Sequence, residues 1–428
     1  MEKYFVKKIE NKKDIEVEVP GSKSITNRAL LLAAMGNKKC RLKGVLFSDD
    51  SRAFLDCIKE LGFDISVNEE EKTVDVVGTG GKIKNNNATI NVRSAGTAAR
   101  FLTVFLAVAG GDYILNSSEQ MKRRPMAELI EALRNLGVSI KCIEKEGHFP
   151  FEIHSTGLKK SEVVIDTTKS SQYASALMMA SAASNGMKIA MTGDRTNGAY
   201  IKITERMMEQ FGINFNRDGD VCTVYSDSFG IHEYQIEPDA SAACYFYAMA
   251  PLLKVKVTVK NLYMDSMQGD MQFVKVMERL GCKINETPNG VEIDGGNLDD
   301  YEGIDIRMKD FSDQTMTMAV VAAFAKTQTV IRDVGHIRLQ ESDRVAAIVN
   351  ELTKMGAGAS FVEQNGKTNI VINPAPIHPC EIETYEDHRV AMAFTLPGLV
   401  IDGFVIDNPM CCRKTFENYY EIIDEITK

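Results

Sequence analysis

Residues 20–28 read Pro-Gly-Ser-Lys-Ser-Ile-Thr-Asn-Arg and lead into an apolar run at 29–35. Pro-Gly is a turn signal, and Ser, Thr and Asn favour the start of a helix. The stretch therefore predicts a strand over 15–19, a tight turn, and a buried helix whose first turn carries Lys23 and Ser24.

The cations of this stretch suggest an anion site. A helix N-terminus combines unpaired N–H groups with about half a positive charge, which suits a phosphate group. Lys23 and Arg28 add two full charges at that place. An ordinary capped helix with two solvated cations would carry the same residues, so the rest of the chain must separate the two readings.

Composition narrows the class of protein. The chain has 428 residues, of which 44% are hydrophobic, and a net charge of −9. The length predicts two or three domains, and the charge argues against nucleic-acid and anionic-membrane partners. No apolar run approaches the roughly 20 residues of a membrane helix. Nine cysteines without a Cys-x-x-Cys pair, and the lack of a signal-peptide core, predict a reduced, cytoplasmic protein. The six histidines show no metal spacing, so we expect no metal.

A repeat of about 75 residues runs along the chain. Five amphipathic segments end in an apolar residue and a glycine, namely Gly62, Gly137, Gly212, Gly281 and Gly356. Glycine there fits a left-handed helix C-cap. A second helix series, rich in Ala, Ser and Met and therefore buried, is predicted to start near residues 24, 96, 171, 241, 314 and 388. Two series with one period predict six copies of one strand-and-helix unit.

The chain termini predict the domain organisation. A sixth amphipathic helix over 416–426 ends the chain, with no strand after it, while residues 4–19 read as two strands that could close this sixth copy. One lobe would then consist of 1–20 plus 237–428, and 21–236 would be an inserted lobe, with three copies in each. The chain passes between the lobes near residues 20 and 237, in each case just before the start of a buried helix. We therefore expect those helix starts to face a cleft between the lobes.

Charged residues gather at the predicted helix starts. The cations are Lys23, Arg28, Arg100, Arg124, Arg344, Arg389 and Lys414. The helix dipole disfavours cations there, and arginine binds carboxylate and phosphate with two parallel hydrogen bonds. The set therefore predicts an anionic ligand, although each residue alone could be a solvated surface charge.

Three acids belong to the same set, namely Asp313, Glu341 and Asp387. Each alone is more readily explained as a helix cap. Among several cations, however, an acid stays ionised and is able to act as a base.

Eight motifs, in order along essentially the whole chain, resemble the enolpyruvyl transferases that act on shikimate 3-phosphate. They are PGSKSITNR at 20–28, SAGTAAR at 94–100, RRPM at 123–126, SSQ at 170–172, SDQTMT at 312–317, QESDR at 340–344, DHRVAM at 387–392 and RKTF at 413–416. The resemblance implies an α/β (α+β) fold, the two-lobe inverse α/β barrel, with three βαβαββ repeats per lobe around buried parallel helices. It also implies transfer of the enolpyruvyl group of phosphoenolpyruvate to the 5-hydroxyl of shikimate 3-phosphate. A tetrahedral intermediate forms, phosphate leaves, and no cofactor takes part.

The resemblance also implies three sets of site residues, carried over motif by motif. Shikimate 3-phosphate would be held by Lys23, Ser24, Arg28, Ser170, Ser171, Gln172, Asn197, Tyr200, Asp313 and Gln340. Phosphoenolpyruvate would be held by Lys23, Ser94, Gly96, Arg124, Gln172, Arg344, Arg389 and Lys414. The catalytic set would be Asp313 for the 5-hydroxyl proton, Glu341 with Lys23 for the methyl proton, and His388 beside the leaving phosphate.

The sequence departs from the usual family pattern at five positions, namely Ser94, Phe101, Asn197, His336 and Gln340. Family members usually carry Lys where Gln340 stands. One cation expected near the shikimate phosphate or its hydroxyls is therefore lost, and Lys414 or Lys169 would have to compensate for it.

Two other readings stay open at this point. The UDP-N-acetylglucosamine enolpyruvyl transferases share the fold but usually carry a reactive Cys in the loop that is here 116–125, which contains none. An inactive paralogue that only binds an anionic metabolite is the other, against which stand Lys23, Asp313 and Glu341. The expectation is a monomeric cytoplasmic transferase of small molecules.

Overall fold

The computed structural model of the protein describes residues 3–428. The chain divides into two compact units. The inserted unit is Gly21–Ile236. The terminal unit consists of the described residues up to Pro20 together with Glu237–Lys428.

The helices and strands follow the predicted repeat. The chain starts with β1 (Lys3–Phe5) and β2 (Ile15–Val17). The inserted unit then contains α1 (Lys23–Met35), β3 (Lys39–Lys43), α2 (Asp49–Glu60), β4 (Ile65–Asn68), β5 (Thr73–Val77), β6 (Asn87–Asn91), α3 (Gly96–Ala109), β7 (Gly111–Asn116), α4 (Glu119–Lys122), α5 (Ala127–Asn135), β8 (Ser139–Cys142), β9 (Phe151–Ser155), β10 (Glu162–Asp166), α6 (Gln172–Ser181), β11 (Met187–Thr192), α7 (Ala199–Gln210), β12 (Phe215–Asp218), β13 (Val221–Val224) and β14 (Glu233–Gln235).

The terminal unit continues in the same alternation. It contains α8 (Ala240–Tyr247), α9 (Met249–Leu253), β15 (Lys256–Lys260), α10 (Gln272–Arg279), β16 (Lys283–Thr287), β17 (Gly290–Asp294), β18 (Asp305–Arg307), α11 (Thr315–Ala323), β19 (Thr329–Arg332), α12 (Arg344–Lys354), β20 (Gly358–Gln364), β21 (Lys367–Asn373), β22 (Glu381–Ile382), α13 (His388–Val400), β23 (Val405–Asp407) and α14 (Tyr419–Ile426). Short 3-10 helices lie at Gly269–Met271, Lys309–Gln314, Gly335–Leu339 and Pro409–Lys414.

Across residues 3–428 the strands form six small sheets, one for each copy of the repeat. The inserted unit has the strand orders β14-β3-β5-β4, β6-β7-β9-β8 and β10-β11-β13-β12. The terminal unit has β2-β15-β17-β16, β18-β19-β21-β20 and the three-stranded β22-β23-β1. In each sheet the first pair of strands is parallel and the other pairs are antiparallel.

The prediction that residues 4–19 close the sixth copy is wrong for one of the two strands. β1 does close that copy, with Tyr4 opposite Ile406 on β23. β2 instead lies parallel to β15 of the fourth copy, with Glu16 opposite Thr258. β14 fills the matching place beside β3 in the first copy. β2 and β14 are the last strands before the chain passes from one unit to the other. Each pairs with an edge strand of its own unit, β15 or β3, whose backbone N–H and C=O groups need partners.

The helix boundaries agree with the two predicted series. The five glycines that follow amphipathic helices all have φ between 79° and 102°, which glycine adopts without steric cost. The buried helices α1, α3, α6, α8, α11 and α13 each begin within one residue of the expected position. The last amphipathic helix begins three residues later than predicted, at Tyr419, because a 3-10 helix and a turn occupy the residues before it.

The core of each unit lies between the buried helices and the inner faces of the sheets. All residues of α11 are buried, since its Ala, Thr, Met and Val side chains leave no polar stripe. Strand β17 alternates accordingly, with Val291 and Ile293 buried against the helices. Within residues 3–428 no helix has both the length and the hydropathy needed to cross a membrane.

Candidate active site

Lys23 is the first residue of α1 and is held by a carboxylate from the next helix. Its Nζ lies 3.7 Å from Oδ2 of Asp50, which is buried in the first turn of α2. A carboxylate is favoured at a helix N-terminus. Asp50 therefore keeps the Lys23 ammonium at the helix starts of the inserted unit.

Arg28 lies one turn along α1 and is 1% exposed. Its Nε donates to Thr204 Oγ1 at 2.8 Å, and its Nη1 donates to the Ser24 carbonyl at 2.9 Å. Its Nη2 donates to the Tyr200 carbonyl at 3.2 Å and to Ser175 Oγ at 3.4 Å. These four partners are neutral. Burial lowers the pKa of Arg28 to about 10, partly opposed by Tyr200, so the side chain stays cationic at neutral pH.

Gly96, the first residue of α3, lies between two buried guanidinium groups. A Cβ at this position would come within 2.7 Å of Nη1 of both Arg100 and Arg124. Arg100 also donates from Nη1 to the Gly96 carbonyl at 3.1 Å and from Nη2 to the Pro125 carbonyl at 3.3 Å. A side chain here would force the two guanidinium groups to shift, whereas glycine lets both stand beside a helix N-terminus, an arrangement suited to an anion.

Hydrogen bonds tie the helix starts of the inserted unit together. Asn27 Nδ2 on α1 donates to Thr97 Oγ1 on α3 at 2.5 Å. The Tyr173 hydroxyl on α6 donates at 2.7 Å to the Pro125 carbonyl, which also accepts from Arg100. The first turns of α1 and α6 are thus each linked to α3, one directly and one through the Pro125 carbonyl.

The other predicted residues of the inserted unit lie at the same ends of its helices. Gln172 is the first residue of α6, and its N–H donates to Ser170 Oγ at 3.2 Å. Ser171 precedes it and is buried, whereas Ser94 before α3 is half-buried. Asn197 is exposed in the turn before α7. Lys169, expected to compensate for Gln340, instead forms an ion pair with Glu128, 2.5 Å from its Oε1.

In the terminal unit, Arg344 stands at the centre of an ion-pair network. It is the first residue of α12 and is 1% exposed. Its Nε donates to Asp387 Oδ2 at 2.8 Å, and its Nη1 donates to Asp313 Oδ1 at 3.1 Å. Its Nη2 donates to Glu341 Oε2 at 2.8 Å. Burial alone would lower the pKa of Arg344, but the three carboxylates, led by Asp387, raise it above its ordinary value.

Arg389, the second residue of α13, shares one of these acids. Its Nη2 donates to Asp313 Oδ2 at 2.8 Å and to Ser241 Oγ at 3.4 Å. Its Nη1 donates to the Tyr245 hydroxyl at 3.4 Å. Asp313 therefore bridges Arg344 and Arg389 through its two oxygens.

Asp387 combines a cap with an ion pair. Its side chain caps α13 by accepting the N–H of Arg389 at 3.0 Å. Both of its oxygens accept from Arg344, and Oδ2 also accepts from the Ser342 hydroxyl at 3.0 Å. The carboxylate is fully buried, so it anchors the starts of α12 and α13 to each other.

The other predicted residues of this unit surround the network. His388 is buried, with Nδ1 3.8 Å from Asp387 Oδ1. Lys414 is buried at the end of the 3-10 helix Pro409–Lys414. Gln340 is half-buried next to Glu341, and His336 Nε2 lies 2.7 Å from Ser312 Oγ.

Sequence reasoning missed three polar residues of these helix starts, namely Asp50, Ser241 and Asp270. Asp270 is buried and accepts a short hydrogen bond from the Ser241 hydroxyl. Burial and then the charge of Asp313 raise the pKa of Asp270 to about 6, while Arg389 opposes the shift. The available signal was position alone, since all three stand at predicted helix starts. Acids and serines there are usually caps.

The comparison with known proteins decides the family. The family model of EPSP synthase (3-phosphoshikimate 1-carboxyvinyltransferase) matches residues 8–423. The chain belongs to the EPSP synthase family. The resemblance to the enolpyruvyl transferases of shikimate 3-phosphate, seen in the motifs, is thereby confirmed.

Relatives within the EPSP synthase family align along nearly the full chain. The 3-phosphoshikimate 1-carboxyvinyltransferase of Trichormus variabilis is 38% identical over 410 residues, covering 95% of each chain. That of Actinobacillus pleuropneumoniae serotype 5b is 37% identical over 424 residues, covering 96% of each. The structure of EPSP synthase from Acinetobacter baumannii has a TM-score of 0.81 at 22% identity, covering 99% of this chain and 98% of that one. The likeness confirms the predicted fold class.

The ion pair between Asp387 and Arg344 predicts a large loss of stability in Asp387→Ala. Removing one partner leaves a buried charge with less compensation, which costs about 3–5 kcal/mol of the free energy of unfolding. Asp305→Ala is the control, because Asp305 pairs with Arg332 at the exposed surface of the same unit and should cost at most about 1 kcal/mol. Urea unfolding followed by circular dichroism measures both values. Equal costs would contradict the structural role given to Asp387.

Proposed function

We propose that the protein transfers the enolpyruvyl group of phosphoenolpyruvate to the 5-hydroxyl of shikimate 3-phosphate and releases phosphate. Family membership supports the reaction. The observation that carries the chemical argument is Asp313, which bridges Arg344 and Arg389. Two buried cations and a shared acid provide both anion binding and a base.

Phosphoenolpyruvate carries a carboxylate and a phosphate, each matched by the fork of an arginine. The residues proposed to hold it are Arg344, Arg389 and Lys414 in the terminal unit, and Lys23, Ser94, Gly96, Arg124 and Gln172 in the inserted unit. Asp313 and Glu341 both accept hydrogen bonds from N–H groups of Arg344. The substrate anion competes for these groups, and the carboxylate that it displaces becomes available to accept a proton.

Shikimate 3-phosphate is assigned mainly to residues of the inserted unit. These are Lys23, Ser24, Arg28, Ser170, Ser171, Gln172, Asn197 and Tyr200, with Asp313 and Gln340 from the terminal unit. Arg28 supports the assignment, because the hydroxyls and carbonyls that accept its hydrogen bonds are neutral and leave its positive charge to an anionic ligand. The serines and the glutamine provide neutral hydrogen bonds for hydroxyls.

The proposed chemistry is addition followed by elimination. Asp313 takes the proton of the 5-hydroxyl, whose oxygen bonds to C2 of phosphoenolpyruvate while the methylene carbon gains a proton from Glu341 and Lys23. In the resulting tetrahedral intermediate the methyl group returns a proton to Glu341 and Lys23, and the C–H electrons form the C=C bond again. The bond from C2 to the phosphate oxygen breaks, and phosphate leaves. His388 assists beside the departing phosphate.

The proposal includes a monomeric, cytoplasmic enzyme with small-molecule substrates and without a nucleic-acid or membrane partner. The net charge of −9 argues against nucleic-acid and anionic-membrane partners, and the free thiols suit a reducing compartment.

The function is tested by phosphate release from phosphoenolpyruvate with either shikimate 3-phosphate or UDP-N-acetylglucosamine as acceptor. We expect release with shikimate 3-phosphate alone. Release with the UDP-sugar alone would assign the protein to the other transferase class. A folded protein that releases no phosphate with either acceptor would be a binding paralogue, and the proposal would fail.

The position of Gln340 predicts a gain of affinity in Gln340→Lys. A cation in place of the neutral amide converts a contact with the anionic acceptor into a charge-assisted one, so the KM for shikimate 3-phosphate should fall by about fivefold. The KM for phosphoenolpyruvate should stay the same. Gln364→Lys, an equal change of charge on the exposed strand β20, is the control. If both variants have the wild-type KM for shikimate 3-phosphate, residue 340 does not contact the acceptor.

A further inference from the structure

We propose that Asp270 is a positioning residue of this reaction, whose carboxylate orients Ser241 toward Arg389 and strengthens Asp313 as a base. The roles of Arg389 and Asp313 in it rest on the proposed function. The contacts that link the four residues all lie within the terminal unit.

Asp270 lies at the start of the amphipathic helix of the fourth copy. It belongs to the 3-10 helix Gly269–Met271, directly before α10, and is 8% exposed. The hydroxyl of Ser241, the second residue of α8, donates to Asp270 Oδ2. The thiol of Cys244 points to the Asp270 carbonyl at 3.6 Å. These contacts place the carboxylate against the start of a buried helix.

Ser241 transmits the state of Asp270 to Arg389. A hydroxyl has a single hydrogen, and an anionic Asp270 accepts it. The Ser241 oxygen then faces Arg389 only as an acceptor, at 3.4 Å from Nη2. The same Nη2 donates to Asp313 Oδ2 at 2.8 Å. A protonated Asp270 would allow the Ser241 hydroxyl to reverse, and this end of Arg389 would lose a fixed acceptor.

The charges around Asp270 give the second effect. Asp313 faces it from the 3-10 helix Lys309–Gln314, Arg389 from α13, and Asp239 from the N-cap of α8. Burial and the repulsion by Asp313 raise the pKa of Asp270 to about 6, against the attraction of Arg389. Repulsion between two carboxylates is mutual. An ionised Asp270 therefore makes Asp313 hold a proton more tightly, and this makes Asp313 a stronger base.

A purely structural role is separable from this one. The cap of α8 is supplied by Asp239, which accepts the N–H of Ala242 at 3.1 Å, so Asp270 is not needed for that purpose. Asparagine has the shape of aspartate without its charge. Asp270→Asn thus removes the repulsion, and Ser241→Ala removes the link to Arg389 while leaving the charge in place.

The kinetic test measures kcat and the KM for phosphoenolpyruvate between about pH 5 and about pH 9. Asp270→Asn should lower kcat by about three- to tenfold above about pH 6, where the wild-type Asp270 is ionised, because Asp313 becomes a weaker base, and should leave kcat near the wild-type value below about pH 5. Asp270→Glu should return kcat above about pH 6 toward its wild-type value. Ser241→Ala should raise the KM for phosphoenolpyruvate by about three- to tenfold, the effect of one hydrogen bond, without this pH-dependent loss of kcat.

Asp294→Asn is the matched control. Asp294 is a largely buried carboxylate of the same copy of the repeat, paired with Lys256 and with the N–H of Gly296. Its replacement removes the same charge from the terminal unit. We expect it to leave both kcat above about pH 6 and the KM for phosphoenolpyruvate unchanged.

A second measurement does not depend on activity. A raised pKa means that the protonated Asp270 stabilises the fold below about pH 4 and that this contribution is lost as pH rises through about 6. The difference in Tm, Asp270→Asn minus wild type, should therefore increase as the pH rises from about 4 to about 6. In an Asp313→Asn background the increase should occur at lower pH.

The outcomes separate the two hypotheses. If the wild type releases no phosphate with its substrates, the proposed function fails, and the Tm series still tests the coupling of Asp270 to Asp313. If the enzyme is active but Asp270→Asn only lowers Tm, with kcat unchanged above about pH 6 and a Tm window unaffected by Asp313→Asn, the positioning role is overturned.

Discussion

The terminal unit depends on the ion pairs of the buried guanidinium of Arg344 with three carboxylates. At 1% exposure this cation would cost several kcal/mol without partners, and three carboxylates surround it. Asp313, Glu341 and Asp387 come from the residues before α11, α12 and α13. The pairing that keeps the charge buried therefore also fixes the three helix starts relative to one another. The stability of this part of the fold and the geometry of its site have the same origin.

The two units hold their buried arginines in different ways. Arg28 is surrounded by hydroxyls and carbonyls, and its pKa is lowered to about 10. Arg344 is surrounded by acids, and its pKa is raised. An anion that binds to Arg28 gains from a charge with neutral partners, whereas one that binds to Arg344 competes with three carboxylates of the protein. In the proposed reaction that competition is useful, because it frees Asp313 at the moment when the substrates are bound.

Local signals explain why much of the fold was predictable. Glycine after a helix and Ser or Asp before one act within a few residues, so the starts of the six buried helices were predictable to within one residue. The pairing of β2 with β15 was not predictable, because strand partners are distant in sequence. The sheet edge of the fourth copy and that of the sixth suit the same short strand equally well. Asp270 and Asp50 were missed for a similar reason. An acid at a helix start resembles a cap until the fold brings Ser241 or Lys23 beside it.

The central claim is that Asp313 both occupies the arginines and serves as the base. The most direct test is the affinity of Asp313→Asn for phosphoenolpyruvate, measured by calorimetry with shikimate 3-phosphate present, beside its turnover. Turnover should fall by about 10²- to 10⁴-fold, the usual effect of losing an acid or base. The affinity should be equal to that of the wild type or higher, because a competing carboxylate is gone. Affinity that weakens in parallel with turnover would contradict the account.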